Sequence, residues 1–591
     1  MKKSFMKELI GYAGKRKILI PLSRIFSAMS GALAVVPFVF IWLIIKEVIE
    51  LNGNYASANG IAFNGWMALL FAVLTIIFNF AALMCSHVSA FKVAETLRSK
   101  MMHHIEKVPS GILDLEGSGK LRRVINESSA ITETYLAHNL PDLMATITTP
   151  IATVVTLFIF DWRLGLASLI PMFLAFIVMF LMMFKGMDEK MKQYQNALGE
   201  MSNEAVEYVR GIPVVKTFNQ TIFSFKRFKK TIDDYEKWTI SYTRQMRPGM
   251  ILFTIIINSV FAFLISVVLL VNSMGKVDET FIINLIFYII FTPLVAVSFN
   301  KLTYMGESKT QVKDGLNRIH KLLDLPTLSS SEVKEELHSN SIELKNVYFK
   351  YPQSDKYAID DISLKIKPNE KIALVGPSGG GKTTLANLMN RFFDVKKGEI
   401  LIGSKNIKDI NKEILSKNIG FVFQDSKLIQ DTILNNVKLA NPKASMEEVN
   451  VALHKAQCDD IIEKLPDGVN TLIGSKGIYL SMGEMQRIAI ARVFLKNPKI
   501  IILDEATAFA DADNEYLVQK AFSELAKNKT VVMIAHRLTS IQGVDRILVV
   551  DNGKIIEEGS HKELLIKNGV YKTMWDEYTS SIKWNLKKEV E

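Results

Sequence analysis

The sequence predicts an α-helical six-span membrane unit followed by an α/β unit built on a parallel sheet. Three observations carry that expectation. Six uncharged apolar runs, each of 18 residues or more, fall within the first 300 residues. After Lys301, short β-branched runs alternate with helical stretches. One of those runs, ending at Val375, leads straight into a glycine-rich loop that closes on a lysine.

The apolar runs are 25–45, 61–91, 143–160, 164–184, 248–275 and 280–300. Each is long enough to cross about 30 Å of hydrocarbon as a helix, and six in succession are hard to place in a water-soluble core. The connection 92–142 holds seven Lys or Arg residues and 185–247 holds twelve, whereas the opposite side carries only Lys46, Arg163 and Lys276. That asymmetry places both long loops and both termini in the cytoplasm. The basic start, MKKSFMKELIGYAGKRK, precedes a run too long for a signal-peptide core, so it reads as the approach to a retained first span. Mixed charge and helical spacing in the loops, as at Val206, Val209, Ile212 and Val215, predict helices that continue past the membrane. No Asp, Glu, Lys or Arg lies inside a run, so a charged ion site or proton relay is not expected. The polar residues there are amides and hydroxyls: Asn79, Thr148, Thr149, Asn258, Asn284 and Asn300. They are expected to face lipid or neighbouring helices.

The segment 309–323 is amphipathic, Pro326 ends it, and 328–340 is rich in Ser, Glu and Lys. The expected division is therefore a membrane unit 1–325, a linker 326–340 and a second domain 341–591. Strands are expected at 372–375, 419–423, 499–504, 530–535 and 546–550. The 591-residue chain carries 71 basic and 60 acidic residues, a net charge of +11. Much of that excess sits in the inner loops, and nucleic acid binding finds no support beyond charge. Cys85 and Cys458 are the only cysteines, which excludes a disulfide-stapled fold and a multi-cysteine zinc site.

The stretch Gly376, Pro377, Ser378, Gly379, Gly380, Gly381, Lys382, Thr383 fits G-x-x-x-x-G-K-[ST], and Thr384 extends it. Its glycines let backbone N–H groups form a cradle at a helix N-terminus, where phosphate is favoured. Lys382 would reach the β- and γ-phosphates, and the Thr383 hydroxyl would ligate magnesium. The run 499–504 ends in Asp504, followed by Glu505. Two acids closing a buried strand are costly unless they face a cation or a ligand. Asp504 suits magnesium, directly or through water, and Glu505 suits polarising the attacking water.

With these residues in hand, the chain resembles the ATP-binding cassette superfamily over nearly its whole length. FVFQD with Gln424, LSMGE at 480–484, ATAFAD ending in Asp511 and IAHRL with His536 match the order and spacing of its Q-loop, signature, D-loop and switch histidine. Tyr351, in FKYP, sits where the family stacks an aromatic ring on adenine. Six spans before one such domain look like an exporter-type half-transporter. The implied fold is a six-span transmembrane domain, domain-swapped in a dimer, followed by an α/β P-loop nucleotide-binding domain.

By that resemblance the cofactors are ATP and Mg2+, and each ATP lies between one chain's phosphate loop and the other chain's signature. Ser481 and Gly483, with Glu484 beside them, would approach the γ-phosphate from across the interface. Gln424 would couple magnesium and water to the membrane domain, and His536 would hold the γ-phosphate and orient Glu505. Turns near 111–123 and 208–218 would be coupling helices. The common LSGGQ signature is altered here, Met482 replacing a glycine and Glu484 the glutamine. Those changes, with DEATAFAD, are similar to a subgroup of paired bacterial transporters that import iron–siderophore complexes. They lean toward a heterodimer of two half-transporter chains in a bacterial inner membrane. Export of an amphipathic or bulky solute, import of a metal chelate, and a gating role without transport are the readings the residues leave open.

Overall fold

The computed structural model describes residues 5–51, 59–183, 187–217, 226–275, 277–303, 305–329, 331–352, 354–424, 426–474, 477–504, 512–535 and 537–588. The chain forms two compact units. One is Met1–Met102 with Arg122–Leu323, and the other is His103–Leu121 with Asp324–Glu591.

The first unit is helical. Gly14–Glu50, Ile61–Ile105, Ser118–Phe160 and Trp162–Leu181 are each long and apolar enough to cross a membrane. Lys226–Asn258 and Val260–Ser273 form a further crossing bent by 45°. The expected run 248–275 is thus broken at Ser259, whose side chain turns back to the carbonyl of Ile256 at 2.7 Å. Such local hydroxyl–backbone bonds compete with the helical ladder. The sixth expected run lies on the last apolar helix, Glu279–Thr303. Aromatic packing joins these helices: Trp42 meets Phe160 edge-on at 4.6 Å, and Phe160 stacks on Phe287 at 4.1 Å. Several polar side chains within the spans bond to backbone carbonyls. Asn284 donates to Phe160 O at 3.1 Å, Asn258 to Thr254 O and Thr148 to Met144 O.

The second unit has two sheets. The larger contains β3 (Lys371–Val375), β6 (Ile419–Val422), β7 (Ile500–Asp504), β8 (Thr530–Ile534), β9 (Arg546–Asp551) and β10 (Lys554–Gly559), in the order β10-β9-β3-β8-β7-β6. Five strands are parallel and only β10 runs antiparallel, to β9. Central strands buried on both faces need continuous apolar runs, which is why IALV, IIIL and ILVV read so clearly. The smaller sheet is antiparallel: β1 (Ile342–Phe349), β2 (Ile359–Ile366), β4 (Lys397–Ile402) and β5 (Lys405–Asn406), in the order β2-β1-β4-β5. One core cluster packs this sheet against the larger one through Ile342, Leu344, Ile372, Leu374 and Ile502.

Two stretches take part in this second unit without regular strand or long-helix patterning. The helix Ser110–Glu116 packs on it, with Ile112 against its core cluster. The segment 326–340 carries no helix or strand, yet it is fastened along its length. Leu337 is buried in the same cluster. Buried Arg391 donates to Ser329 O at 2.7 Å. Glu335 and Glu336 pair with Lys405 and Lys417.

Candidate nucleotide site

The phosphate loop leaves the C-terminal end of β3, the strand held between β9 and β8 at the middle of the large sheet. In open parallel sheets, ligands bind beyond the carboxyl ends of the strands. Close backbone approach dictates the glycines. A β-carbon at Gly376, whose φ is 139°, would lie 2.0 Å from Val550 O, and one at Gly381 would lie 2.8 Å from Ala358 O. Gly381 caps the helix Lys382–Met389 in the left-handed region, at φ 111°. The N-terminal amides of that helix and the loop form an anion-binding end.

Lys382 is 5% exposed and folds back over the loop, donating to Gly376 O and Pro377 O at 2.8 Å each. Thr383 is exposed on the first helical turn, whereas Thr384 is buried and exchanges a hydrogen bond with the Tyr351 hydroxyl at 2.9 Å. Tyr351 also meets Phe349 and Phe393 edge-on, at 5.1 and 5.4 Å. That bond ties the aromatic residue to the phosphate-loop helix. Ser378 and Gly379 are exposed on the loop, and Gly380 lies under it, its added β-carbon 2.6 Å from Val550 O.

Asp504 ends β7 at 8% exposure, in register with Ile534 of β8. Gln424 follows β6 and is exposed. Its neighbour Phe423 stacks on Phe392 at 5.8 Å and lies 4.6 Å from Phe421. Residues 376–384, Gln424 and Asp504 thus stand at the C-terminal ends of three strands of one parallel sheet, and Tyr351, from beyond β1 of the smaller sheet, joins them through Thr384. Glu505, Asp511 and His536 lie outside the described residues.

The signature residues sit elsewhere in the unit. Ser481 is the N-cap of the helix Met482–Lys496, accepting from the Glu484 N–H at 3.3 Å. Glu484 Oε2 accepts in return from the Ser481 N–H at 2.8 Å. Two orphan donors are satisfied reciprocally, a capping box. Met482 occupies the first helical position, half-exposed, and neither it nor Gly483 has positive φ. Glycine's freedom is not needed at 482. At Gly483 it is space that matters, since a β-carbon would lie 2.8 Å from Asn514 Cβ. The signature helix packs in a second core cluster through Ile488, Ile490 and Ala491, distinct from the cluster holding the phosphate-loop helix.

Sequence reasoning passed over Arg487, on that same helix. It is 1% exposed, pairs with Asp460 at 2.6 and 3.1 Å, bonds Gln457 O and donates to Asn514 Oδ1 at 2.8 Å. It also passed over the aromatic cluster beside Gln424. The S-x-x-E pattern of the capping box was readable in LSMGE. Of the two expected coupling turns, 111–123 forms helices Ser110–Glu116 and Ser118–Arg123 around Gly117, which has φ 78°. The other does not turn before 217, because the helix Met187–Thr217 runs on unbroken, and Phe218 lies outside the described residues.

Comparison with known proteins gives two family matches: the ABC transporter transmembrane region over residues 20–294 and the ABC transporter family over 359–508. The chain is 31% identical over 587 residues to the mycobactin import ATP-binding/permease protein of Mycolicibacterium thermoresistibile, covering 95% of this chain and 63% of that one. The corresponding Mycobacterium tuberculosis protein is 31% identical over 571 residues, covering 95% and 64%. The chain thus spans less than two thirds of the length of these relatives. The ATP-dependent lipid A-core flippase of Haemophilus influenzae strain 86-028NP is 30% identical over 545 residues, covering 90% of each chain. The chain belongs to the ABC transporter family: it is an integral membrane protein in which an exporter-type helical domain is joined to an α/β domain of the ATP-binding kind.

Proposed function

We propose that the chain is one half of a transporter that moves an amphipathic or bulky solute by alternating access, with two ATP sites shared between two half-transporter chains. The observation that carries this is the separation of half-sites. The phosphate loop and the signature stand on different core clusters of one unit, so each calls for its complement on a second cassette. A heterodimer is favoured by the altered signature, since unlike sites tolerate unlike loops. A bacterial cell membrane with the ATP-binding domain in the cytoplasm follows from the inner-loop charge.

In this reading Lys382 gives up its two carbonyl partners for the β- and γ-phosphates, while the amides of 376–384 hold the remaining oxygens. Tyr351 stacks on the adenine. Thr383, Asp504 and Gln424 fit magnesium, being a hydroxyl, a carboxylate and an amide at one sheet edge, and the ion would neutralise charge developing on the phosphoryl oxygens. Glu505 polarises the attacking water and His536 holds the γ-phosphate side. Ser481, Gly483 and Glu484 complete the partner's site, and Asp511 lies at the same interface. Measured ATPase activity that disappears in Glu505→Gln would argue against a gating subunit, and activity unchanged by that substitution would remove Glu505 from this role.

A second reading, import of a metal chelate, is favoured by the long similarity to proteins named for mycobactin import and by the LSMGE and ATAFAD loops. Vesicles of known orientation separate the two. Labelled ferric chelate accumulating on the nucleotide side supports import, and movement only away from it supports export.

A further inference from the structure

The helix Lys226–Asn258 changes from charged to apolar at Pro248. The inner-loop charge places that border at the cytoplasmic face of the membrane. Just before it, Lys190, Lys237, Ile240, Ser241, Arg244 and Gln245 line a cavity of about 550 Å³ formed with the helix Met187–Thr217. Lys190 Nζ donates to Ser241 Oγ at 3.3 Å and bridges the two helices. Tyr194 stacks on Tyr242 at 5.8 Å and holds them together alongside.

Among the described residues the cations here have no carboxylate partner. The ion pairs on these two helices use Arg210, Arg227 and Lys229. Among the described residues no carboxylate lies within 4.0 Å of Lys190, Lys237, Arg244 or Arg247. Arg244, Arg247, Ile251 and Ile255 recur at three- and four-residue spacing, so a basic stripe runs directly into an apolar one. A second cavity of about 490 Å³ follows along that stripe, where Met250, Ile251 and Ile255 are exposed. Unpaired cations at the headgroup level, continued by an apolar furrow at acyl-chain depth, match an ionic amphiphile lying with its head toward the cytoplasm.

We propose that this juxtamembrane site binds an anionic phospholipid of the cytoplasmic leaflet, its phosphate held by Lys190, Lys237 and Arg244 and its acyl chains along Met250, Ile251 and Ile255. The site lies in the membrane unit and does not depend on which solute is transported. Neutral lipid satisfies the apolar furrow but leaves the cations without a net counter-charge.

The test uses the full transporter in phosphatidylcholine bilayers with and without phosphatidylglycerol, reading retained lipid by native mass spectrometry. Wild type retains phosphatidylglycerol in preference, and K237Q/R244Q loses that preference by about fivefold per cation removed. The equally neutralised K216Q/K230Q keeps it, and so does the charge-conserving K237R/R244K. Unchanged retention in K237Q/R244Q overturns the site. An equal loss in K216Q/K230Q overturns it in favour of overall charge, and a loss in K237R/R244K overturns charge as what is recognised. If soluble sn-glycerol 3-phosphate displaces the lipid as well as excess phosphatidylglycerol does, a free phosphate ester is the ligand and the lipid assignment fails.

Discussion

A β-carbon at Gly111 would lie 2.1 Å from the ring of Phe393, while the Gly111 N–H donates to the carbonyl of Phe392 at 3.3 Å. The helix Ser110–Glu116 therefore docks through backbone, at a spot where one aromatic contact leads from Phe392 to Phe423, beside Gln424. Glycine at 111 is a requirement of space. Gly111→Ala should loosen this docking by about 1–3 kcal/mol, the usual scale for overpacking. Transport per ATP should fall while ATP binding stays. Phe393→Leu added to Gly111→Ala should recover part of the loss, and vesicle transport with parallel ATPase assays reads both.

The signature departs from the family pattern in a way that its local chemistry explains. Glu484 serves the Ser481 N–H, so Glu484→Ala should lower the stability of the nucleotide domain by about 1 kcal/mol. Glutamine can make the same bond, and Glu484→Gln should stay within a few tenths of a kcal/mol. Thermal unfolding of the three proteins distinguishes them. If Glu484→Gln raises ATPase activity without changing stability, the carboxylate's charge, and not the cap, is what limits turnover.

Asp460 and Arg487 make a second test. Removing the carboxylate leaves a nearly inaccessible guanidinium with only neutral partners, so Asp460→Ala should cost about 3–5 kcal/mol. Arg487→Met removes the buried charge itself and should cost less, because the carboxylate that remains is 40% exposed and can be hydrated. Denaturant midpoints of the two variants should therefore fall in that order. The reverse order would show that packing of the arginine stem outweighs its charge.

Burial pushes the Cys458 thiol up to about 12 from its ordinary 9.0. The thiolate is the reactive form, so maleimide at pH 7.5 should leave Cys458 unlabelled until the chain unfolds. The sign of the pH effect follows. The folded state holds the proton more tightly, so this group's contribution is present below pH 9 and is lost as pH rises from 9 toward 12. Mass spectrometry of labelled peptides, with and without denaturant, reads the accessibility directly.

How much of this was legible depends on the range of the interaction. The strands β3, β6, β7, β8 and β9 announce themselves because burial on both faces forces unbroken apolar runs, and the spans because about 30 Å of hydrocarbon demands them. The small sheet does not. In β1 the buried positions are interrupted by Glu343 and Lys345, in β4 only the last three residues are buried, and the pairing partners are up to 60 residues away, as Ile342 with Ile402. Asn406 in β5 faces Leu401 in a two-residue strand, too short for any pattern. The phosphate loop was readable because phosphate chemistry restricts residue type at fixed spacing. Gly111 and Arg487 were not, since the partners that give them meaning, Phe393 and Asp460, lie far along the chain. The bend at Ser259 was hidden inside an apolar run for a related reason: one hydroxyl leaves the average hydropathy almost unchanged.

The segment 326–340 has a practical meaning for anyone who wishes to handle the ATPase alone. A fragment starting at Ser341 discards Leu337 from the core, the carbonyl that receives Arg391, and the carboxylates that Lys405 and Lys417 hold below their ordinary pKa. It would expose an apolar socket and leave one nitrogen of the buried Arg391 guanidinium without its partner, while the bonds to Asp394 and Ile407 O remain. Solubility of such a fragment should hinge on where the scissors fall, and Asp324, where the longer segment of the compact unit begins, is the safer cut.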